Sequence, residues 1–160
     1  MKYLRGIAVY DRDIGKRVFN KPFLHNEKID QKDRKVNGNL RKCIRLLKSI
    51  IYDEEEKNAL SSYDITSIIH CMPEPMLAYN RGQELQLIKS CNEYLNYLLR
   101  DQEHCISLSV PNGTRKIFCT EGASLNKLRI TIKLLQDLLS EIEIGLSKSF
   151  RKLADARIRY

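Results

Sequence analysis

Three cations on one predicted helix and two hydroxyl side chains at the start of the next have the types and spacing to bind an anionic ligand. Arg41, Arg45 and Lys48 follow one another at steps of four and three residues, which places all three on one face of a helix. Ser62 and Tyr63 begin the second helix. Cations bind phosphate groups, a hydroxyl and the free amides of a helix start bind anionic oxygen, and a tyrosine ring offers a flat face to a base. These residues could therefore hold a phosphorylated ligand.

Two amphipathic helices joined by an acidic linker must position these side chains, and both lie within residues 37–72. The segment reads NGNLRKCIRLLKSIIYDEEEKNALSSYDITSIIHCM. The first helix has an apolar stripe opposite its cations, made of Leu40, Cys43, Ile44, Leu47, Ile50 and Ile51. The second helix has apolar residues at helical spacing, namely Ile65, Ile68, Ile69 and Met72. Pro73 and Pro75 end it, because proline cannot continue the hydrogen-bond ladder of a helix.

Two further helices and a hairpin are predicted beyond this pair. Apolar residues at helical spacing predict a third helix over residues 82–100 and a long closing helix over residues 124–154. Within residues 104–119, apolar residues alternate before a Pro-Asn-Gly turn and resume after it, which is a typical signal of a β-hairpin. Arg115 and Lys116 in this stretch could reach a phosphate, but a solvated turn is the favoured interpretation.

The first part of the chain predicts extended structure. Residues 3–10 alternate as a short strand, and residues 11–15 have the composition of a turn. Residues 20–26 are interpreted as an extended loop, because the proline at position 22 biases the preceding residue away from helical geometry. We therefore expect a mainly α fold, a helical bundle of four to five helices with a short β-hairpin and an N-terminal strand remnant. It divides into a strand and extended loop over residues 1–36 and a helical lobe over residues 37–160.

Composition and charge narrow the class of protein. The 160 residues are 42% hydrophobic and 30% charged, which suits a soluble globular domain with a real core. The net charge of +8 favours an anionic partner such as a nucleotide, a nucleic acid or an acidic protein surface, and a solvated basic face is the simpler alternative. Five cysteines without a CxxC pair predict reduced, mostly buried thiols in a cytoplasmic protein. No apolar run approaches the roughly 20 residues that a membrane helix needs.

Possible metal ligands are few. Asp11 and Asp13 are separated by one residue, and two carboxylates in that arrangement can hold catalytic Mg²⁺. No Gly-Ser helix start that would cradle a triphosphate precedes them, so they are interpreted as turn residues. The histidines and cysteines lack the short-range ligand pairs of a structural zinc site. We therefore assign no catalytic residue and no metal ligand.

The segments LRKCIRLLKSI and SSYDITSIIHCM resemble the C-terminal helical region of the oligoadenylate synthetase and cyclic GMP-AMP synthase class of nucleotidyltransferases, including their bacterial second-messenger relatives. In that family a helix ending in a lysine is followed, after a variable linker, by a Ser-Tyr helix start. The lysine and serine contact the nucleotide triphosphate, and the tyrosine ring stacks on the base. The resemblance implies these roles for Lys48, Ser62 and Tyr63, with Arg45 as a further candidate nucleotide contact.

The resemblance also implies what a complete enzyme would contain. The family's catalytic half carries a Gly-Ser motif and three metal-binding acidic residues, and it is expected before residue 1. Residues 1–36 are then a remnant of that core, and Mg²⁺ with a nucleoside triphosphate would act only in the complete enzyme. We expect a nucleotide-binding C-terminal helical lobe, inactive alone, whose partners are a nucleoside triphosphate and the missing N-terminal half. The alternative is a noncatalytic basic helical domain that binds nucleic acid or another protein.

Overall fold

Helices make up most of the structure, a computed structural model that describes residues 7–11 and 16–158, with side chains from residue 21 to residue 151. This part of the chain contains six α-helices: α1 (Pro22–Lys35), α2 (Asn39–Asp53), α3 (Ser62–Cys71), α4 (Glu84–Arg100), α5 (Gln102–Ser107) and α6 (Leu125–Ile158). A short 3-10 helix, Glu74–Leu77, lies between α3 and α4. The mainly α prediction is confirmed, and α1 and α5 are helices that it did not include.

The expected extended loop over residues 20–26 is wrong, because α1 begins there. Pro22 is the first residue of α1, a position where its missing N–H is not needed and its fixed φ already suits a helix. α1 then buries Ile29 in the core, and the chain just after it buries Val36. Asp33 of α1 accepts a hydrogen bond from the backbone N–H of Arg41, at the start of α2. Residues 22–36, which the sequence placed outside the helical lobe, are therefore packed into it.

α2 and α3 form where the sequence predicts them. Gly38 takes a φ of +81° immediately before α2, a left-handed conformation that glycine adopts without strain. The side chain of Ser61 caps α3 by accepting a hydrogen bond from the N–H of Asp64, and the Ser61 hydroxyl donates to the Asp64 carboxylate. These reciprocal bonds fix the first turn of α3, which carries Ser62 and Tyr63.

A single apolar cluster holds the bundle together. α2, α3, α4 and the first half of α6 contribute its largest fully buried side chains, among them Leu40, Leu47, Ile65, Ile68, Leu95, Leu98, Leu128 and Leu135. Thr131 of α6 also accepts a hydrogen bond from the backbone N–H of Leu60, just before α3. The start of α3 is therefore fixed against α6 as well as α2. No helix in the described ranges is long and apolar enough to cross a membrane.

The predicted hairpin over residues 104–119 is wrong in its first half. The Asp101 side chain accepts a hydrogen bond from the N–H of His104 and so caps α5, which takes the chain to Ser107 as helix. Across the Asn-Gly turn, Ser109 and Lys116 form one isolated antiparallel bridge instead of paired strands. Residues 108–123, named the bridged loop below, carry this turn against the start of α3.

Paired strands occur at the N-terminal end instead. β1 (Ile7–Asp11) and β2 (Lys16–Asn20) form a two-stranded antiparallel sheet, with Asp11 opposite Lys16. Asp11 is thus a strand residue and not the turn residue that we expected, since the pairing continues to the end of β1. Asp13 and the first part of the predicted strand lie outside the described residues.

Candidate functional site

An open cleft lies where α1, α2 and α3 meet. It has a volume of about 460 Å³, within the size range of small-molecule sites. Its lining consists of Pro22, His25, Asn26, Ile29, Lys48, Ser62, Tyr63 and Thr66, and we name it the Tyr63 cleft. Three of the four residues predicted to contact a nucleotide therefore lie around one space. They supply a cation from α2, and a hydroxyl and an aromatic ring from the first turn of α3.

Arg45, the fourth predicted residue, lies elsewhere. It lines a separate groove of about 310 Å³ between α2 and α4, together with Lys42, Leu46, Glu84 and others. Arg41 also has partners outside the cleft, since it forms ion pairs with Asp30 and Asp33 of α1. The three cations share a helical stripe, but α2 is surrounded by other helices, so each cation meets a different neighbour. Of the three, Lys48 is the one that reaches the Tyr63 cleft.

The Tyr63 ring has aromatic and cationic neighbours. The His25 imidazole stacks on it, with ring centroids 4.8 Å apart and planes inclined by 19°. The guanidinium carbon of Arg115 lies 5.2 Å from the Tyr63 centroid. Burial raises the pKa of the Tyr63 phenol, while Arg115 and a hydrogen bond from the Asn112 side chain act in the opposite direction. The phenol therefore stays protonated near neutral pH, and the ring is held in place by three side chains.

His25 is a cleft residue that the sequence interpretation missed. It is 7% exposed, and its Nδ1 is buried without a hydrogen-bond partner, an arrangement that calls for a role because buried polar atoms are nearly always satisfied. Burial, aided by the nearby Lys48 charge, lowers the pKa of His25 below 6.5. The imidazole is therefore neutral at pH 7 and does not compete with Lys48 for an anion. The sequence feature that could have identified His25 is Pro22, because proline favours the start of a helix, and a helix from Pro22 places His25 and Ile29 on one face.

The start of α3 is suited to anionic oxygen. Ser62 is its first residue and is solvent-exposed. The first N–H groups of a helix have no partner in its own ladder, and the helix dipole places positive charge there. Asp64 is the acidic residue of this turn, but its carboxylate is buried and paired with Arg115 at 3.4 Å. The exposed surface near Ser62 therefore combines a hydroxyl, helix-start amides and the Lys48 ammonium.

The part of the chain that the structure describes contains no evident metal-binding cluster. No group of three or more histidine, cysteine, aspartate or glutamate side chains among them is arranged to hold an ion. The five cysteines are free thiols: Cys43, Cys91 and Cys105 are buried, and Cys71 and Cys119 are half-buried. Burial raises the pKa of the Cys105 thiol to about 11, which keeps it protonated and unreactive at neutral pH.

Known proteins are similar to this chain both in sequence and in fold. A cyclic dinucleotide synthase CdnE of Yersinia aleksiciae is 35% identical over 141 residues, which cover 86% of this chain and 37% of that protein. A c-di-GMP synthase of a Flavobacteriaceae species is 29% identical over 145 residues, covering 88% of this chain and 38% of that protein. The chain thus spans well under half the length of these relatives.

Solved structures give the same result for the fold. The STING-associated CdnE c-di-GMP synthase from Capnocytophaga granulosa superposes with a TM-score of 0.75 at 26% identity, over 91% of this chain and 47% of that chain. The Rhodothermus marinus CdnE c-UMP-AMP synthase, solved with Apcpp and Upnpp, shares the fold with a TM-score of 0.68 at 21% identity, over 85% and 46% of the two chains. The family of cGAS/DncV-like nucleotidyltransferase C-terminal helical domains matches residues 27–140. Because that match covers more than half of the chain, this protein belongs to the cGAS/DncV-like nucleotidyltransferase C-terminal helical domain family.

Proposed function

We propose that this chain is the nucleotide-binding helical lobe of a cyclic dinucleotide synthase, and that the Tyr63 cleft holds one nucleoside triphosphate. The observation that carries the proposal is that Lys48, Ser62 and Tyr63 line the same cleft, so that a cation, a hydroxyl and an aromatic ring face one space. The relatives are named as cyclic dinucleotide synthases, which favours a nucleotide ligand over the nucleic-acid and protein-interaction alternatives.

Each side chain has a role that its chemistry supports. The Lys48 ammonium would bind the phosphates through charge-assisted hydrogen bonds, which contribute about 1.5–3 kcal/mol each. The Ser62 hydroxyl and the helix-start amides would bind a further phosphate oxygen. The Tyr63 ring would stack on the base, a contact worth on the order of 1–3 kcal/mol.

Bond formation is not assigned to these residues. A complete synthase would use Mg²⁺ to bring a ribose hydroxyl onto an α-phosphate, but no cluster of acidic side chains in the described part of the chain fits that ion. We therefore derive no metal-dependent step here. In this proposal the lobe binds and orients the nucleotide, and its protein partner is the catalytic half of the synthase.

A titration of the 160-residue chain with ATP and GTP, followed by two-dimensional NMR, tests the proposal. Shift changes should cluster at Lys48, Ser62, Tyr63 and His25. Lys48→Ala should weaken ATP binding about tenfold or more, because it removes the charged phosphate contact. Lys133→Ala, an exposed cation of α6, is the matched control and should bind as the wild type does. Equal affinity in the two variants would contradict the assignment of Lys48.

A further inference from the structure

Arg115 joins the bridged loop to the first turn of α3. One of its terminal nitrogens, Nη2, lies 3.4 Å from the Asp64 carboxylate, and the other, Nη1, donates to the carbonyl of Lys116 at 2.9 Å. The guanidinium also lies over the Tyr63 ring, 5.2 Å from its centroid. A planar guanidinium can hold an ion pair, a backbone contact and a ring contact at once, which a lysine ammonium cannot do with the same geometry.

Gly122 leaves room for this guanidinium. A Cβ at position 122 would lie 2.6 Å from Nη1 of Arg115 and 2.4 Å from the carbonyl oxygen of Ile117, closer than real Cβ contacts allow. The φ of Gly122 is not in the left-handed region, so close approach, and not backbone conformation, explains the glycine. The bridged loop therefore leaves space at Gly122 that the Arg115 guanidinium occupies.

The partner of Arg115 organises the residues of the cleft. The side chain of Asp64 is 4% exposed, and its second carboxylate oxygen accepts a hydrogen bond from the Ser61 hydroxyl at 2.6 Å. Ser61 is the cap of α3. Arg115 thus neutralises a buried carboxylate that itself fixes the helix start from which Ser62 and Tyr63 enter the cleft. The same loop also supplies Asn112, which hydrogen-bonds the Tyr63 phenol.

We propose that Arg115 is a positioning residue that fixes the orientation of the Tyr63 ring for its contact with the base, without itself contacting the phosphates. This inference rests on the proposed function and adds to it the bridged loop as the element that sets base stacking. Phosphate binding by Lys48 is separate in this scheme, since Lys48 is supplied by α2, and Ser62 keeps its helix start through the Ser61 cap. Loss of Arg115 should therefore weaken ligands that carry a base and spare those that do not.

The test compares ATP with inorganic triphosphate as ligands of the wild type and of Arg115→Met, with Lys116→Met as the neighbouring control. We expect Arg115→Met to weaken ATP binding about five- to tenfold while leaving triphosphate binding within twofold, because only the stacking contact is affected. Lys116→Met should change neither affinity. An equal loss for both ligands would mean that Arg115 supports phosphate binding, directly or through Ser62, and would overturn the proposal, as would no loss for either ligand.

Two further measurements keep the outcome interpretable. Gly122→Ala would place its Cβ against both the Arg115 guanidinium and the Ile117 carbonyl oxygen, so it disturbs the guanidinium and the loop backbone while Arg115 remains, and it should weaken ATP binding while sparing triphosphate binding. In the absence of ligand, the ring-proton shifts of His25 report the stacked Tyr63 ring and should move in Arg115→Met but not in Lys116→Met. If the wild type bound neither ligand, the proposed function would fail, and these shifts would decide the placement of Tyr63 on their own: unchanged His25 signals in Arg115→Met would overturn it.

Discussion

The His25 imidazole stacks on the Tyr63 ring at a centroid distance of 4.8 Å. His25 comes from α1 and Tyr63 from the first turn of α3, so this pair connects the helix that the sequence interpretation missed to the residue that it expected to hold a base. Aromatic pairs of this kind contribute about 0.5–1.5 kcal/mol beyond the area that they bury. The stack is therefore both a link between two helices and one wall of the cleft.

Removing the imidazole should destabilise the fold. His25→Ala deletes the stack and opens a space beside Tyr63, and we expect it to lower the free energy of unfolding by about 1–3 kcal/mol. His104→Ala is the control, because His104 is exposed and only tilted against Tyr97 at 5.5 Å. That variant should stay within about 0.5 kcal/mol of the wild type in urea denaturation. Equal losses in the two variants would show that the stack contributes nothing of its own.

Acid should destabilise the fold through His70. Burial, with the nearby Lys32 charge, lowers the pKa of His70 from 6.5 to about 4. The unfolded chain therefore binds more protons than the folded chain between these two values. This contribution to stability is fully present above pH 6.5 and is lost as the pH falls from 6.5 towards 4.

The difference between wild type and a His70→Gln variant isolates this contribution from the titration of carboxylates. Urea denaturation midpoints measured from pH 7.5 to 4.5 should fall less steeply in His70→Gln than in the wild type. His104→Gln, at an exposed position, should follow the wild-type profile. Parallel profiles for all three proteins would show that His70 does not couple folding to protons.

Lys32 should matter for stability far more than its exposed neighbour Lys35. The Lys32 ammonium donates to the carbonyls of His70 and Met72 at the end of α3, so Lys32→Met leaves two acceptors unpaired. We expect a loss of about 1–3 kcal/mol in the free energy of unfolding. Lys35 pairs with Glu74 at 3.4 Å with both side chains largely exposed, and Lys35→Met should cost less than about 1 kcal/mol. Calorimetry of the two variants would refute the contrast if their melting temperatures matched.

The parts of the fold that could be predicted are those where pattern and capping agree. α3 begins at Ser62, within the predicted start, because Ser61 and Asp64 cap it and proline ends it. α1 was not recognised because Pro22 was used only to place the preceding residue in an extended conformation, whereas proline also favours the first turn of a helix. The apparent β alternation from Ile106 to Val110 was misleading, because Asp101 caps α5 and the helix takes the first of these residues.

The candidate site was predictable only in part. Lys48, Ser62 and Tyr63 could be named because their types suit a nucleotide and the family resemblance supplied their roles. His25 and Arg115 act through long-range contacts with Tyr63, and sequence spacing gives no information on contacts of that range. Arg45 shares a helical stripe with Lys48, but a stripe does not state which neighbouring helix each side chain will meet.

The different positions of Arg45 and Lys48 allow one more prediction. Both are cations on α2, but Lys48 lines the Tyr63 cleft and Arg45 lines the groove towards α4. A site defined by the basic stripe would lose ATP affinity in either alanine variant, whereas a site confined to the cleft would lose it only with Lys48. We expect Arg45→Ala to bind ATP within about twofold of the wild type, because Arg45 does not line the cleft and salt screens its charge there. Isothermal titration of both variants at two salt concentrations is the measurement. A tenfold loss in Arg45→Ala that disappears at high salt would instead show that the whole basic face of α2 attracts the nucleotide.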